Sequence, residues 1–277
     1  MLVEMAIGDA YGAGFEYAPA DFVRRYNDLS HYVQHPRHPL PPGNYTDDTQ
    51  MGLAVTEAII DGDAWTPQRL AERFVDAFHR GPRPGYAKGF HQLLQQIDSG
   101  NELLARIRPR SDKTGAAMRA PPIGVFTDPQ EVIERAAVQA AITHDTDTGR
   151  RAAQASALCL HFCHHRRGPL TDLGRFLDHH VAGDWTPVWR GKVGSRGWMA
   201  VRAAVTALME GQSQADVLRR CVAYTGDTDT VAAIAMPAAA SSAELASDLP
   251  TPLVDHLEDD PYGLTYLRGV DSAWQAE

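Results

Sequence analysis

Tyr224-Thr225-Gly226-Asp227-Thr228-Asp229-Thr230 runs directly into Val231-Ala232-Ala233-Ile234-Ala235-Met236-Pro237-Ala238-Ala239-Ala240. The second half is small and apolar on every side, so a helix built from it has no face to give to water and belongs inside a helical protein. The first half is an acidic loop that opens this helix. Asp227 and Asp229 therefore stand at the mouth of a core, where unpaired carboxylates pay for desolvation and mutual repulsion. No Lys or Arg occurs between Arg220 and Arg268 to pair with them locally. A divalent cation would resolve the conflict.

Outward from this stretch the chain reads as helical nearly throughout. Apolar residues recur at helical spacing over Asp48–Ile60, then after the Thr66-Pro67 start signal through Leu70, Phe74, Val75 and Phe78. Gly89–Ile97, Glu131–Thr143, Gly149–Cys163, Trp198–Leu208 and Gln214–Ala223 repeat the pattern. Alternating strand patterns are nearly absent, and no repeat or linker interrupts the chain. The expectation is all-α: one compact orthogonal helical bundle over residues 1–277, with a binuclear metal site in a central cleft.

Composition bounds the function. The 277 residues are 44% hydrophobic and 22% charged, an ordinary globular balance that excludes disorder as the main state. With 26 basic against 35 acidic residues, the net charge of −9 argues against a nucleic-acid coat or a polybasic membrane binder. No run approaches a membrane span, and the start lacks the basic flank of a secretory signal. Cys159, Cys163 and Cys221 are too few for a disulfide framework and read as small buried side chains in a reducing compartment, hence the cytoplasm.

A second acidic start, Tyr45-Thr46-Asp47-Asp48-Thr49-Gln50, follows a Pro/Gly loop. One such residue can cap a helix; two carboxylates and two hydroxyls exceed what a cap needs. Together the two motifs offer four carboxylates and several hydroxyls. These are hard oxygen ligands that suit Mg²⁺, Mn²⁺ or Ca²⁺ and not zinc. Four carboxylates exceed what one Mg²⁺ usually takes, so two ions sharing an Asp is the natural reading. A third motif, Gly8-Asp9-Ala10-Tyr11-Gly12-Ala13-Gly14-Phe15-Glu16, places three glycines near a helix end, where they allow close backbone approach or positive-φ turns. Taken alone, Glu16 reads as a solvated surface carboxylate.

Gly8-Asp9-Ala10 with Glu16, Thr46-Asp47-Asp48-Thr49 and Gly226-Asp227-Thr228-Asp229-Thr230 resemble the ADP-ribosylglycohydrolase family in order and setting. Gly85-Tyr86-Ala87-Lys88-Gly89, Gly115-Ala116-Ala117-Met118-Arg119, Thr143-His144 and Gly197-Trp198 extend the resemblance over about residues 1–245, with Ala87 where the family's loop has glycine. The resemblance implies a compact all-α fold with two Mg²⁺ or Mn²⁺ ions. Thr46, Asp47 and Asp48 would hold them from one side, Asp227, Asp229 and Thr230 from the other, with Asp229 bridging.

It also implies hydrolysis of the bond from C1″ of ADP-ribose to an ADP-ribosylated protein or other acceptor, releasing ADP-ribose, by an enzyme acting as a monomer. Glu16 would do acid/base work or position substrate, and Asp47 is the alternative for orienting water. Gly85, Tyr86, Gly115 and Met118 would face the substrate. Ser111 through Gly115 offers backbone N–H groups to a diphosphate, and Gly194-Ser195-Arg196-Gly197 offers a second anion seat. His144 would hydrogen-bond the substrate, and Trp198 or Tyr86 would stack on adenine. Two competing readings stand beside this one: a metal-dependent hydrolase of nucleotide phosphoesters, and a non-catalytic relative of the lens-crystallin kind. Retention of every expected metal ligand argues against the latter.

Overall fold

A computed structural model describes residues 1–274. Among them the chain is all-α. Its helices are α1 (Leu2–Ala13), α2 (Ala20–Tyr26), α3 (Asp47–Ile60), α4 (Pro67–His79), α5 (Lys88–Leu94), α6 (Gly100–Arg106), α7 (Gly115–Met118), α8 (Pro129–Ala141), α9 (Asp147–His164), α10 (Leu173–His180), α11 (Gly197–Glu210), α12 (Gln214–Ala223), α13 (Thr228–Ser241), α14 (Thr251–Asp255) and α15 (Leu264–Trp274). Extended pairing among the described residues is limited to isolated bridges.

Local chemistry sets the helix starts. Thr66 accepts a hydrogen bond from Arg69 N and is followed by Pro67, whose fixed φ suits the first helical position. Asp128 and Pro129 do the same for α8, and the Thr146 hydroxyl caps α9 by accepting from Gly149 N. Downstream of its cap, α4 buries Leu70, Phe74, Val75 and Phe78. Truncation of Phe74 to Ala would cost about 3–5 kcal/mol.

The apolar run that opened the sequence analysis is the centre of the molecule. Every residue of α13 from Thr228 to Ala239 is buried, and α1, α9, α11 and α12 pack around it. The three cysteines are buried and free.

Two expectations are corrected and one is narrowed. Of the two uses open to the glycines, close approach is the one α1 makes at Gly8 and Gly12, within its body, and the chain turns only from Gly14. Gly12 is needed inside this helix because a Cβ there would fall 2.5 Å from the Cα of Asp229, so its absence lets α1 and α13 touch backbone to backbone. Next, α13 begins at Thr228, which places Asp229 and Thr230 in its first turn and leaves Asp227 as the flanking residue. Finally, the helix expected over Gly89–Ile97 is Lys88–Leu94. The carbonyl of Ile97 accepts from the His79 ring at 2.8 Å instead of continuing the helix.

Candidate active site in an acidic cavity

The starts of α3 and α13 meet at a cavity of about 650 Å³. Asp9, on α1, organises the α3 side. Fully buried, it accepts four hydrogen bonds: Thr46 N and Thr46 Oγ1 at 2.9 Å, Thr49 N at 2.9 Å and Thr49 Oγ1 at 2.7 Å. Thr46 Oγ1 in turn accepts from Asp48 N at 3.3 Å. Donors that a helix start must place are thus satisfied by Asp9 and Thr46. Asp47 and Asp48 are released from capping and turn to the cavity. Asp48 Oδ2 is buried with no hydrogen-bond partner among the described residues. Gly85 closes over Asp47: its φ of +109° lies in the region that favours glycine, and a Cβ there would lie 2.0 Å from Asp47 Oδ1. Pro84 O accepts from Asp47 N at 2.9 Å.

Backbone geometry organises the α13 side. Thr225 and Gly226 both adopt positive φ, at 63° and 87°. Gly226 O accepts from Tyr17 N at 2.7 Å, which draws the Glu16 turn against the Asp227 loop. Thr228 Oγ1 donates to Gly12 O at 2.9 Å. Glu16, Asp227 and Asp229 each offer a carboxylate oxygen, all within 4.8 Å of one another. Glu16 is therefore a member of the cluster and not the solvated surface residue it resembles when read alone.

Protonation follows from this crowding. Burial, with Asp227 and Asp9, pushes Glu16 up to about 7. Asp47, Asp48 and Asp229 stand well above the usual carboxylate range, because they are buried and face one another and Asp9 or Glu16. Burial also raises Asp227, against the opposing hydrogen bonds of Asp229, Thr230 and Thr114. A set of oxygen donors with one orphaned carboxylate oxygen and strong mutual repulsion fits hard divalent cations.

The opposite wall carries hydrogen-bond donors and cations. Arg119 is buried under the core, 4.4 Å from the Phe74 ring centre. It donates to Gln139 Oε1, Gln139 O and Thr143 Oγ1 at 2.6, 3.0 and 2.8 Å. Thr143 Oγ1 lies 2.7 Å from His144 Nδ1. Burial, then the Arg119 charge, lowers His144 to about 3, so its ring is neutral. Thr143 Oγ1 accepts from Arg119 and shares a hydrogen bond with His144 Nδ1, which holds the neutral ring in place. Ser111, Lys113, Thr114, Gly115, Met118 and Ser195 line the same cavity, and Phe90, Leu93 and Arg108 complete it.

The family model of ADP-ribosylglycohydrolases matches residues 1–270. The chain belongs to the ADP-ribosylglycohydrolase family. It is 28% identical over 144 residues to the ADP-ribosylhydrolase ARH3 of Xenopus tropicalis, covering 49% of this chain and 41% of that protein. It is 28% identical over 132 residues to the ADP-ribosylarginine hydrolase Tri1 of Serratia proteamaculans, covering 45% and 35%. The chain thus spans about half the length, or less, of the curated relatives it matches. Among solved structures, one titled ADP-ribosylglycohydrolase-related protein complex superposes with a TM-score of 0.75 at 20% identity, over 98% of this chain and 94% of that one. That likeness bears on the fold.

In this member of the family the sequence-based site residues fall into three sets. Glu16, Asp47, Asp48, Gly85, Ser111, Gly115, Met118, His144, Ser195, Asp227, Asp229 and Thr230 line the cavity. Thr46 lies just behind it, bonded to Asp9. Tyr86, Gly194 and Trp198 are not on its wall. Tyr86 is buried, donates to Gln50 Oε1 at 2.7 Å and packs its ring against Phe78 and Phe90. Trp198 lines a separate pocket, edge-on to Trp189. The residues that sequence reasoning passed over are Asp9, Phe90, Thr114 and Arg119. Asp9 and Arg119 sit inside quoted motifs, but their roles rest on partners 20 to 40 positions away. Phe90 directly follows the Gly85–Gly89 loop.

Proposed function

We propose that the chain hydrolyses the bond between C1″ of the distal ribose of ADP-ribose and an acceptor, releasing ADP-ribose and the restored acceptor. The observation that carries this reading is the convergence of Glu16, Asp47, Asp48, Asp227 and Asp229 on one cavity whose other wall carries hydrogen-bond donors and cations. Two divalent cations, Mg²⁺ or Mn²⁺, would be held by Thr46, Asp47 and Asp48 from α3 and by Asp227, Asp229 and Thr230 from α13, with Asp229 shared. Bound there, they supply positive charge to ribose oxygens and to a nearby water.

The chain's own groups do the rest. Glu16 holds a proton near neutral pH and lies beside Asp227 and Asp229, which suits transfer to or from the acceptor atom. Asp47, pinned under Gly85, is the alternative for orienting water. His144 hydrogen-bonds the substrate. The Ser111–Gly115 segment and Ser195 provide donors toward a diphosphate, with Lys113 and Arg108 adding charge. Phe90 offers the one aromatic ring on the apolar stretch with Leu93 and Ile107.

The test is release of ADP-ribose from arginine-linked, serine-linked and acyl-linked protein substrates and from poly-ADP-ribose, with and without Mg²⁺. Release that chelation stops and Mg²⁺ restores is expected for at least one linkage. Full activity after exhaustive chelation would overturn the metal assignment. Cleavage of a nucleotide phosphoester with no release from any linkage would overturn the reaction.

A further inference from the structure

A second pocket, of about 300 Å³, shares no lining residue with the acidic cavity. It lies where the first turns of α9 and α11 meet the Ala182–Trp185 loop, and its chemistry is opposite in sign. Arg151 and Arg202 line it together with the indoles of Trp185 and Trp198. The acidic groups nearby are weak partners. Asp147 lies 3.8 Å from Arg151 and Asp184 lies 3.9 Å from Arg202, and both carboxylates are highly exposed. Arg202 Nη2 donates to Pro187 O at 3.1 Å, while its Nε–H is buried with no acceptor among the described residues. The Arg202 guanidinium stands 5.9 Å from the ring centres of both Trp189 and Trp198. Trp198 is one of two large hydrophobic side chains in the exposed class, at 37%.

Two guanidinium groups whose only carboxylate partners among the described residues are long, exposed ion pairs, Asp184 on the pocket rim included, and one of which holds an unanswered N–H, call for an anion. An indole exposed beside them calls for a flat ring. The volume lies at the low end for small-molecule sites, roughly 300–1,000 Å³. We propose that this pocket is a second small-molecule site that takes a planar aromatic ring carrying an anionic group, the chemistry of a nucleoside monophosphate. The ring stacks on Trp198 and the anion sits between Arg151 and Arg202. The pocket is joined to the wall of the acidic cavity: Thr146 Oγ1 donates to Ser111 O at 3.0 Å and Gly197 N to Asp112 O at 3.1 Å.

The test uses the full chain labelled with 5-fluorotryptophan, AMP as the probe, and fluorine NMR. The chain has five tryptophans and none lines the acidic cavity, so the signals of Trp185 and Trp198 report the second pocket alone. Trp198→Phe and Trp185→Phe assign them. A saturable shift of the Trp198 signal with AMP is expected. Adenosine and inorganic phosphate, each lacking one half of the ligand, should bind about tenfold or more weakly. Arg151→Ala and Arg202→Gln should each weaken AMP by about the same factor. The Arg151 side chain is 46% exposed, so its removal leaves the fold alone. A Trp198 signal that stays still at millimolar AMP overturns the proposal. So does an unchanged AMP affinity in Arg151→Ala, or phosphate or adenosine binding as tightly as AMP.

Discussion

The starts of α3 and α13 carry the same kind of side chains into the same cavity and are held by different means. At α3 a side chain does the holding. Asp9 takes the N–H and hydroxyl donors of Thr46 and Thr49, and Asp47 and Asp48 are left over for the cavity. At α13 the backbone does it. Thr225 and Gly226 adopt positive φ, and Val193 and Tyr17 fix them through main-chain bonds. A buried cluster of like charges is unstable by itself, so each arm needs restraint that does not consume its carboxylates. A clamp made of one carboxylate is vulnerable to a single atom; a clamp made of peptide groups is not.

The largest effect is expected where the two arms converge. Asp229→Asn keeps the shape and removes a ligand charge, and ADP-ribose release should fall by about 10³-fold together with Mn²⁺ affinity. Asp48→Asn, on the other arm, should match it within an order of magnitude; a loss confined to one arm would break the symmetry of the proposed pair.

Glu16→Gln should lower kcat by about 10²-fold while Mn²⁺ affinity holds. A change in KM with kcat intact would make Glu16 a positioning residue. Asp9→Asn tests the side-chain clamp. An amide cannot accept from all four donors, so Mn²⁺ affinity should drop by about 10- to 100-fold without any ligand being removed. Thermal unfolding should show a loss of about 1–3 kcal/mol. Wild-type affinity in that variant would mean that α3 places Asp47 and Asp48 unaided.

Thr225→Gly should have the smallest effect. Glycine relieves a left-handed β-branched residue, worth about 1–2 kcal/mol, and loses about 0.4–1 kcal/mol through a freer unfolded chain. Stability should rise slightly, by about 1 kcal/mol or less, with turnover retained. A fall in Tm would show that the Thr225 side chain, and not the main chain, supports the α13 arm.

The sequence made α3, α4, α8, α9, α11, α12 and α13 readable because each has a long apolar period and a start signal. It left α1 without a clear apolar period and left open whether its glycines serve close approach or turns. Gly8 and Gly12 are used against α13, more than 200 positions away, and Gly14 against Val33. Short helices such as α6 and α10 carry too few periods to stand out. The acidic motifs were legible as an excess over capping. That Asp9 performs the capping, and so frees the excess, depends on a contact from another helix. Tyr86 and Trp198 read as stacking candidates beside glycine; burial of Tyr86 against Phe78 and the place of Trp198 in the second pocket are tertiary outcomes that no local pattern carries.

The backbone-to-backbone seam between α1 and α13 has a consequence for synthesis. α13 follows α1 by more than 200 positions. At about 5–20 residues per second, α1 waits on the order of 10–50 seconds for its partner. During that interval the α13-facing glycines of α1 have nothing to pack against, and Glu16 stands apart from Asp227 and Asp229. The central helix thus arrives after α1 and α3, and the nascent chain cannot gather its carboxylates until α13 has been translated.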